Sequence, residues 1–145
     1  MAELVQASHT LRVATRGKGF TDITGELRRW LESLSAEAGL LTAFVRHTSA
    51  SLIIQENADP NVRRDLMEAL AGFAPEDARY HHNEEGPDDM PSHIKSMLTE
   101  VSLSIPVAGG RLALGTWQGV YLIEHRAAPH DRAIALNFLG HCAGG

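Results

Sequence analysis

The chain has 145 residues, 43% of them hydrophobic and 21% charged, which is ordinary for a single globular domain covering residues 1–145. A net charge of -5 excludes a strongly basic surface for nucleic acid or anionic lipid, and no apolar run has the length of a bilayer span. Residues 1–6 lack the basic and apolar regions of a signal peptide, and the single Cys142 cannot form an internal disulfide. We therefore expect a cytoplasmic protein without nucleic-acid or membrane partners.

The N-terminal part of the chain predicts a strand followed by a helix. Residues 4–15 alternate between apolar and polar side chains, as a half-buried strand does, and residues 16–19 predict a turn. Asp22 or Thr24 can cap the next segment, in which apolar residues recur at helical spacing. We expect Gly39 to end this helix.

Two apolar strands and a second helix come next. Residues 40–46 and 50–56 predict the strands, and the polar run between them is typical of a turn or a site. Pro60 suits the first turn of the helix. Its inner face is expected to carry the apolar side chains Val62, Leu66, Ala69, Leu70 and Phe73.

A long irregular segment is predicted over residues 72–90, which are dense in acidic residues and histidine. Segments of this length inside a compact domain are usually functional or disordered. Pro91 then opens a short helix, which Asp88 or Asp89 can cap.

The C-terminal part is rich in strands. Residues 101–105 alternate cleanly, and Gly109-Gly110 predicts a hairpin turn. Three more strands are predicted over residues 111–116, 119–126 and 132–138. The short connections favour antiparallel pairing. We therefore predict an α+β fold, in which about seven strands form a two-layer antiparallel β-sandwich with two or three flanking helices.

Three histidines, His47, His82 and His93, lie in polar or acidic segments. Three neutral imidazoles can hold one divalent, zinc-like ion and leave a position open for water or substrate. The alternative is three separate surface or hydrogen-bonded histidines, since the chain has 8. Glu85 and Asp89 are candidate carboxylates that orient the imidazoles or act as catalytic bases.

Three hydroxyl groups follow His47, on Thr48, Ser49 and Ser51. A hydroxyl beside a histidine can be a nucleophile, but geometry rather than sequence order decides this. Hydroxyls and amides in a turn also bind oxyanions and phosphates, and we prefer this second role. Ordinary turn chemistry is the third interpretation.

Four further residues are candidates for substrate binding. Lys95 and Arg126 can meet an anionic substrate, although a solvated surface charge is the commoner role. Trp117 and Gln118 lie between two glycines and can form a binding edge for a planar ring. A buried β-bulge is the structural alternative for this segment.

Several segments of the chain, in this order, closely resemble the YjbQ-like family, also called the secondary thiamine-phosphate synthase family. The resemblance runs from about residue 4 to residue 139. Its most specific part is Gly115-Thr116-Trp117-Gln118-Gly119. The other main segments are His47-Thr48-Ser49-Ala50-Ser51-Leu52, Glu56-Asn57-Ala58-Asp59-Pro60, Asp88-Asp89-Met90-Pro91, His93-Ile94-Lys95 and Glu124-His125-Arg126.

The resemblance implies a two-sheet α+β sandwich that associates as a homotrimer. It also implies that His47, His82 and His93 meet near a subunit boundary, around a zinc-like divalent ion or around magnesium when pyrophosphate is bound. The implied activity joins a pyrimidine-methyl diphosphate to a thiazole phosphate and yields thiamine phosphate and pyrophosphate. Two alternatives stay open: a metal-dependent hydrolase of a phosphoester or amide, and a non-catalytic protein that binds a metabolite or metal.

Overall fold

The computed structural model describes residues 3–144 and contains eight strands and three helices. The strands are β1 (Val5–Ala14), β2 (Gly19–Asp22), β3 (Ala36–Val45), β4 (Ala50–Glu56), β5 (Ser102–Ala108), β6 (Arg111–Leu112), β7 (Gln118–Glu124) and β8 (Asp131–Cys142). The helices are α1 (Thr24–Ser33), α2 (Pro60–Phe73) and α3 (Asp89–Leu98).

The strands form two antiparallel sheets. The larger sheet has the order β1-β8-β3-β5-β6, and the smaller has the order β2-β7-β4. Every strand pair in both sheets is antiparallel. The predicted α+β architecture of two antiparallel layers with flanking helices is therefore confirmed.

The hydrophobic core lies between the two sheets and beneath α1. Strand β7 is the centre of the smaller sheet, and its apolar run from Val120 to Ile123 is almost fully buried. Leu27 and Leu31, one helical turn apart, bury the inner face of α1, and Phe138 fills the core from β8. Within residues 3–144, no helix is both long and apolar enough to cross a membrane.

The first helix is shorter than its sequence pattern predicts, because β3 begins before Gly39. The helix ends at Ser33, and Ser35 adopts a positive φ of 53° that redirects the chain. Gly39 lies inside β3 and pairs with Gly140 of β8. The prediction that Gly39 ends the helix was wrong, since tertiary pairing with β8 overrides the local helical periodicity.

Three other elements differ from prediction. Only Arg111–Leu112 of the predicted strand 111–116 pairs with a neighbour, and the short strand β2 was not predicted. The predicted inner face of α2 is not buried: no residue of that helix is buried, and Phe73 is 71% exposed. This helix therefore lies on the surface, with Asp59 capping its first turn through the Asn61 amide.

Candidate metal centre

The structure brings His82, Asp89 and His93 together at the start of α3. Asp89 and His93 are four residues apart, so they share one face of the helix. His82 approaches from the preceding irregular segment. One ligand atom from each residue lies within 4.8 Å of the other two. We call these three residues the metal cluster, because two imidazole nitrogens and one carboxylate oxygen are a donor set that zinc uses in catalytic sites.

Asp89 is the hub of the metal cluster. Its Oδ2 atom lies 2.5 Å from His82 Nε2 and 3.2 Å from His93 Nε2. Its Oδ1 atom accepts a 2.6 Å hydrogen bond from Arg126 Nη1. Since the Asp89 side chain is almost completely buried, Arg126 and the two imidazoles fix the direction of both oxygens.

The orientation of His93 leaves one ring nitrogen free for a cation. Its Nδ1 atom donates to the Thr48 carbonyl at 2.8 Å, so a neutral His93 carries a lone pair on Nε2. This lone pair faces the Asp89 carboxylate, and two electron-rich atoms at 3.2 Å require a cation, either a second proton or a metal ion. The residues present therefore fit a divalent ion.

Arg126 ties the metal cluster to the end of β7. Its Nε donates to Asp88 Oδ2 at 3.0 Å, its Nη2 donates to the Glu85 carbonyl at 3.0 Å, and the Ala127 amide also donates to Asp88 Oδ2 at 2.8 Å. The Asp88 side chain makes these bonds and no capping hydrogen bond to α3. Asp88, one of the two predicted caps, therefore occupies the N-cap position of α3 without a side-chain capping bond, while its neighbour Asp89 contacts both imidazoles of the metal cluster.

The pKa values of the metal cluster reflect mutual stabilisation of opposite charges. Burial acts to raise the pKa of Asp89, but hydrogen bonding with His82 and Glu85, together with the charges of His93 and Arg126, outweighs it and holds that pKa below its usual value. The same hydrogen bond with Asp89 raises the pKa of His82. A third carboxylate, Glu85, lies at the exposed edge with Oε2 3.5 Å from His82 Nε2.

His47 lies close to His93 but outside the metal cluster. Its Nε2 atom accepts a 2.8 Å hydrogen bond from the Ala133 amide, which leaves only Nδ1 for other contacts. Burial and then the charge of Arg132 lower its pKa. His47, Thr48 and His93 line one shallow depression of about 490 Å³. The metal ligation predicted for His47 stays untested, and the ligand set supported by the distances consists of His82, Asp89 and His93 alone.

The three hydroxyl groups after His47 have different surroundings. Ser49 is buried and accepts a 2.9 Å hydrogen bond from Arg132 Nη2. Ser51 is fully buried, and its Oγ lies 2.8 Å from His125 Nε2. Thr48 is exposed, and it is the one of these three residues that lines the depression beside His93.

Lys95 is buried on another face of α3 from His93. Lys95 is two positions after His93, which turns the side chain by about 200° around the helix axis. Lys95 is only 3% exposed, and its pKa is lowered by burial and by the charge of Lys18. Its predicted role in substrate binding stays untested, as do those of the buried hydroxyls.

Trp117 and Gln118 lie far from the metal cluster of their own chain. Gln118 begins β7 and Glu124 ends it, next to the segment that carries Arg126. At the rise of a β-strand, these two ends are about 20 Å apart. Trp117 is 64% exposed, and Gln118 Oε1 accepts a 2.8 Å hydrogen bond from the Gly115 amide. One chain alone therefore does not place this pair at the metal cluster.

Sequence analysis missed a buried ion pair behind the metal cluster. Arg132 Nε donates to Glu124 Oε1 at 2.8 Å, and its Nη2 also contacts Oε2. Thr15 donates to Glu124 Oε1 at 2.6 Å. Burial acts to raise the pKa of Glu124, but Arg132 and Thr15 lower it below the usual value. The sequence signal that could have revealed this pair is a charged residue in each of two otherwise apolar strand segments, Glu124 in β7 and Arg132 in β8.

The comparisons with known proteins agree with this architecture. The model of the family described as UPF0047 protein YjbQ-like matches residues 9–141. The chain belongs to this family. A UPF0047 protein of Synechocystis is 50% identical over 136 residues, 93% of this chain and 92% of the relative. The UPF0047 protein YjbQ of Salmonella typhimurium is 46% identical over 132 residues, 90% of this chain and 96% of the relative.

Solved structures of the family share the fold. A conserved hypothetical protein of Thermus thermophilus superposes with a TM-score of 0.78 at 38% identity, covering 88% of this chain and 97% of that one. A YbjQ-like protein of Sulfolobus solfataricus gives a TM-score of 0.88 at 22% identity, covering 96% and 100%. Because its sequence identity is only 22%, the second structure supports the fold alone. The family resemblance expected from the sequence is confirmed.

Proposed function

We propose that the protein is a metal-dependent enzyme acting on phosphorylated small molecules, with His82, Asp89 and His93 as its metal ligands. The observation that carries the proposal is the convergence of two imidazole nitrogens on one oxygen of a buried carboxylate. The nitrogen ligands favour a zinc-like ion, and magnesium is the alternative when pyrophosphate supplies oxygen ligands. Such an ion polarises a phosphoryl oxygen and lowers the pKa of a bound water towards about 7.

The residues around the metal cluster serve to orient it. Thr48 fixes His93 through its carbonyl, and Arg126 fixes Asp89 by holding Oδ1, which leaves Oδ2 for the cation. Ligands oriented in this way need little rearrangement when a cation binds. A divalent ion is therefore expected to displace the proton shared by Asp89 and His82.

Surface depressions on two sides of the metal cluster offer room for substrate. One, of about 490 Å³, contains His93 and the exposed Thr48. The other, of about 530 Å³, contains His82, Asn83 and the exposed Arg79. A guanidinium, an amide and a hydroxyl are suitable donors for phosphate oxygens. These donors support a phosphorylated substrate. Arg79 was not among the substrate-binding residues predicted from the sequence.

The proposed reaction is the thiamine-phosphate synthase type implied by the family resemblance. The thiazole nitrogen forms a bond to the pyrimidine methylene carbon while the carbon–oxygen bond to diphosphate breaks. Pyrophosphate leaves with the electron pair of that bond. Donors that stabilise its developing negative charge would supply most of the rate enhancement. Thr48 and Arg79, which line the depressions on either side of the metal cluster, are the donors proposed for that role.

The proposed assembly is a homotrimer with the site near a subunit boundary. In such a trimer, we propose that the exposed Trp117 approaches the metal cluster of a neighbouring copy, because about 20 Å separates it from the cluster of its own chain. Exposed apolar residues support such a boundary. Met97 is 76% exposed and Val101 is 45% exposed, and both line the depression that contains His93.

Metal analysis is the first test of this proposal. Purified protein is compared with the variants His93→Ala and His47→Ala after dialysis against zinc. We expect His93→Ala to lose the metal, whereas His47→Ala should retain it, because His47 lies outside the ligand set and its Nε2 is already bonded to the Ala133 amide. Full metal content in His93→Ala would contradict the proposed ligand set.

The second test concerns the reaction. A bacterial strain without its main thiamine-phosphate synthase is complemented with this chain or with His93→Ala, and we expect rescue by the first alone. In vitro, turnover that requires the thiazole phosphate supports synthesis. Turnover of a generic phosphoester without a second substrate would instead support the hydrolase, and tight binding without any turnover would support a binding protein.

A further inference from the structure

A second cleft lies at the opposite end of the smaller sheet from the metal cluster. Its volume is about 510 Å³, within the range of small-molecule sites. Helix α1, the β5–β6 hairpin and the loop before β7 form its walls. This loop contains Gly115-Thr116-Trp117-Gln118, the family's most specific segment, which the metal cluster of the same chain does not use.

The residues that line the cleft are held in place by one another. Leu31 and Leu112 are 1% and 8% exposed and provide an apolar floor. Gln118 Oε1 accepts from the Gly115 amide at 2.8 Å, which closes the loop on itself. Asn57 Nδ2 reaches the carbonyls of Thr116 and Gln118, each at 3.4 Å, and so ties the loop to the end of β4.

The charges facing the cleft favour an anion. Arg28 of α1 and Arg111 of β6 reach it from different elements, and both are exposed. Within residues 3–144 neither arginine has an ion-pair partner, whereas the adjacent Arg29 pairs with Glu26 at 3.1 Å. Glu32 also lines the cleft, so these three side chains carry a net charge of about +1 at neutral pH.

We propose that this cleft binds a small organic anion, with its phosphate or carboxylate group between Arg28 and Arg111 and its ring on Leu31 and Leu112. Two guanidinium groups converging on one anion give charge-assisted hydrogen bonds. Glu32 can accept a hydrogen bond from an amino or hydroxyl group elsewhere on the ligand. The site is separate from the metal cluster of the same chain.

Calorimetric titration with phenylphosphonate tests the proposal, because this probe combines an aryl ring with a non-hydrolysable anion. We expect wild-type protein to bind it and the double variant Arg28→Ala/Arg111→Ala to bind about tenfold more weakly or worse, the effect of losing one or more charged hydrogen bonds. Arg29→Ala is the matched control, since this neighbouring arginine does not line the cleft, and it should bind as wild type does.

A second double variant, His82→Ala/His93→Ala, separates the two sites. Unchanged phenylphosphonate binding in this variant supports an independent cleft. Loss of binding there would place the probe at the metal cluster and overturn the proposal. Wild-type affinity in Arg28→Ala/Arg111→Ala, or no binding by the wild-type protein at millimolar concentrations, would overturn it as well. Far-ultraviolet circular dichroism confirms that each variant is folded.

Discussion

Asp89 is the single residue on which the geometry of the metal cluster depends most. Asp89→Asn keeps the size of the side chain but removes the negative charge that faces both imidazoles. We expect the affinity for zinc to fall by about tenfold or more. Asp88→Asn is the matched control, because Asp88 contacts the same Arg126 but neither histidine. Equal zinc affinity in wild type and Asp89→Asn would remove Asp89 from the site.

His125 is a buried residue whose surroundings favour the neutral form of its ring. Thr99 Oγ1 lies within hydrogen-bond distance of both Ser51 Oγ and the Lys95 carbonyl, and Ser51 Oγ lies 2.8 Å from His125 Nε2. His125 Nδ1 is buried and has no hydrogen-bond partner among residues 3–144. A neutral imidazole is the form that this arrangement holds.

This environment makes stability depend on pH. Burial and then the charge of Lys95 lower the pKa of His125 to about 4. The unfolded chain takes up a proton near the ordinary pKa of about 6.5, whereas the folded chain does not, so stability falls as the pH drops. Between about pH 6.5 and 5 the loss is about 2 kcal/mol. Urea denaturation should show this loss in wild type and a smaller one in His125→Gln; identical losses would show that another group is responsible.

At the scale of elements, the contact between β3 and β8 depends on two glycines. A Cβ atom on Gly140 would lie 2.1 Å from the Ala38 carbonyl oxygen and 2.7 Å from Gly39 Cα. Because both contacts are with backbone, the strands must separate to admit a methyl group. We expect Gly140→Ala to destabilise the fold by about 3 kcal/mol, measured by chemical denaturation. Gly72→Ala is a suitable control, since within residues 3–144 no atom beyond its chain neighbours and its own helix backbone lies within 4 Å of the added Cβ. A neutral Gly140→Ala would show that β3 and β8 can shift freely.

The same two strands explain what sequence could predict and what it could not. Strong local patterns, such as the alternation in β1 and the Asp59-Pro60 start of α2, predicted their elements correctly. Gly39 was wrongly predicted to end a helix. Its actual role depends on pairing with Gly140, which is 101 residues away in the sequence, so no local pattern could reveal it. Short strands such as β2 exist through pairing rather than through their own pattern.

The residues at and around the metal cluster also divide into those that the local sequence could place and those that it could not. The four-residue spacing of Asp89 and His93 makes them neighbours on any helix, so sequence alone could place them together. The position of His47 depends instead on the pairing of β3 with β8, which sets its ring against the Ala133 amide. No pattern near residue 47 contains that information. The ion pair of Glu124 and Arg132 likewise joins strands from different sheets.

At the scale of the whole molecule, the outer face of the larger sheet carries apolar side chains. Leu40 and Phe44 are 41% and 45% exposed, and they point to the same side of β3. Leu139 of β8, which is 46% exposed, pairs directly with Leu40. Phe44 pairs with Ser102, next to Val101 at the depression beside His93. Thr42 and its cross-strand neighbours Asn137 and Ser104 lie between Leu40 and Phe44 on this face, so Phe44 is the exposed apolar residue beside the depression. Exposed apolar residues near the metal cluster are typical of a subunit boundary.

Phe44→Glu tests that boundary, because a charge at the centre of an apolar interface opposes association without entering the core. Light scattering should report a mass about three times the 15.7 kDa chain for wild type and close to one chain for the variant. Phe73→Glu changes another exposed phenylalanine, on α2 and away from this face, and should leave the mass unchanged. If Trp117 and Gln118 act from a neighbouring copy, Phe44→Glu also loses activity while its isolated metal cluster still binds zinc. A wild-type monomer with full activity would show that each chain contains a complete site.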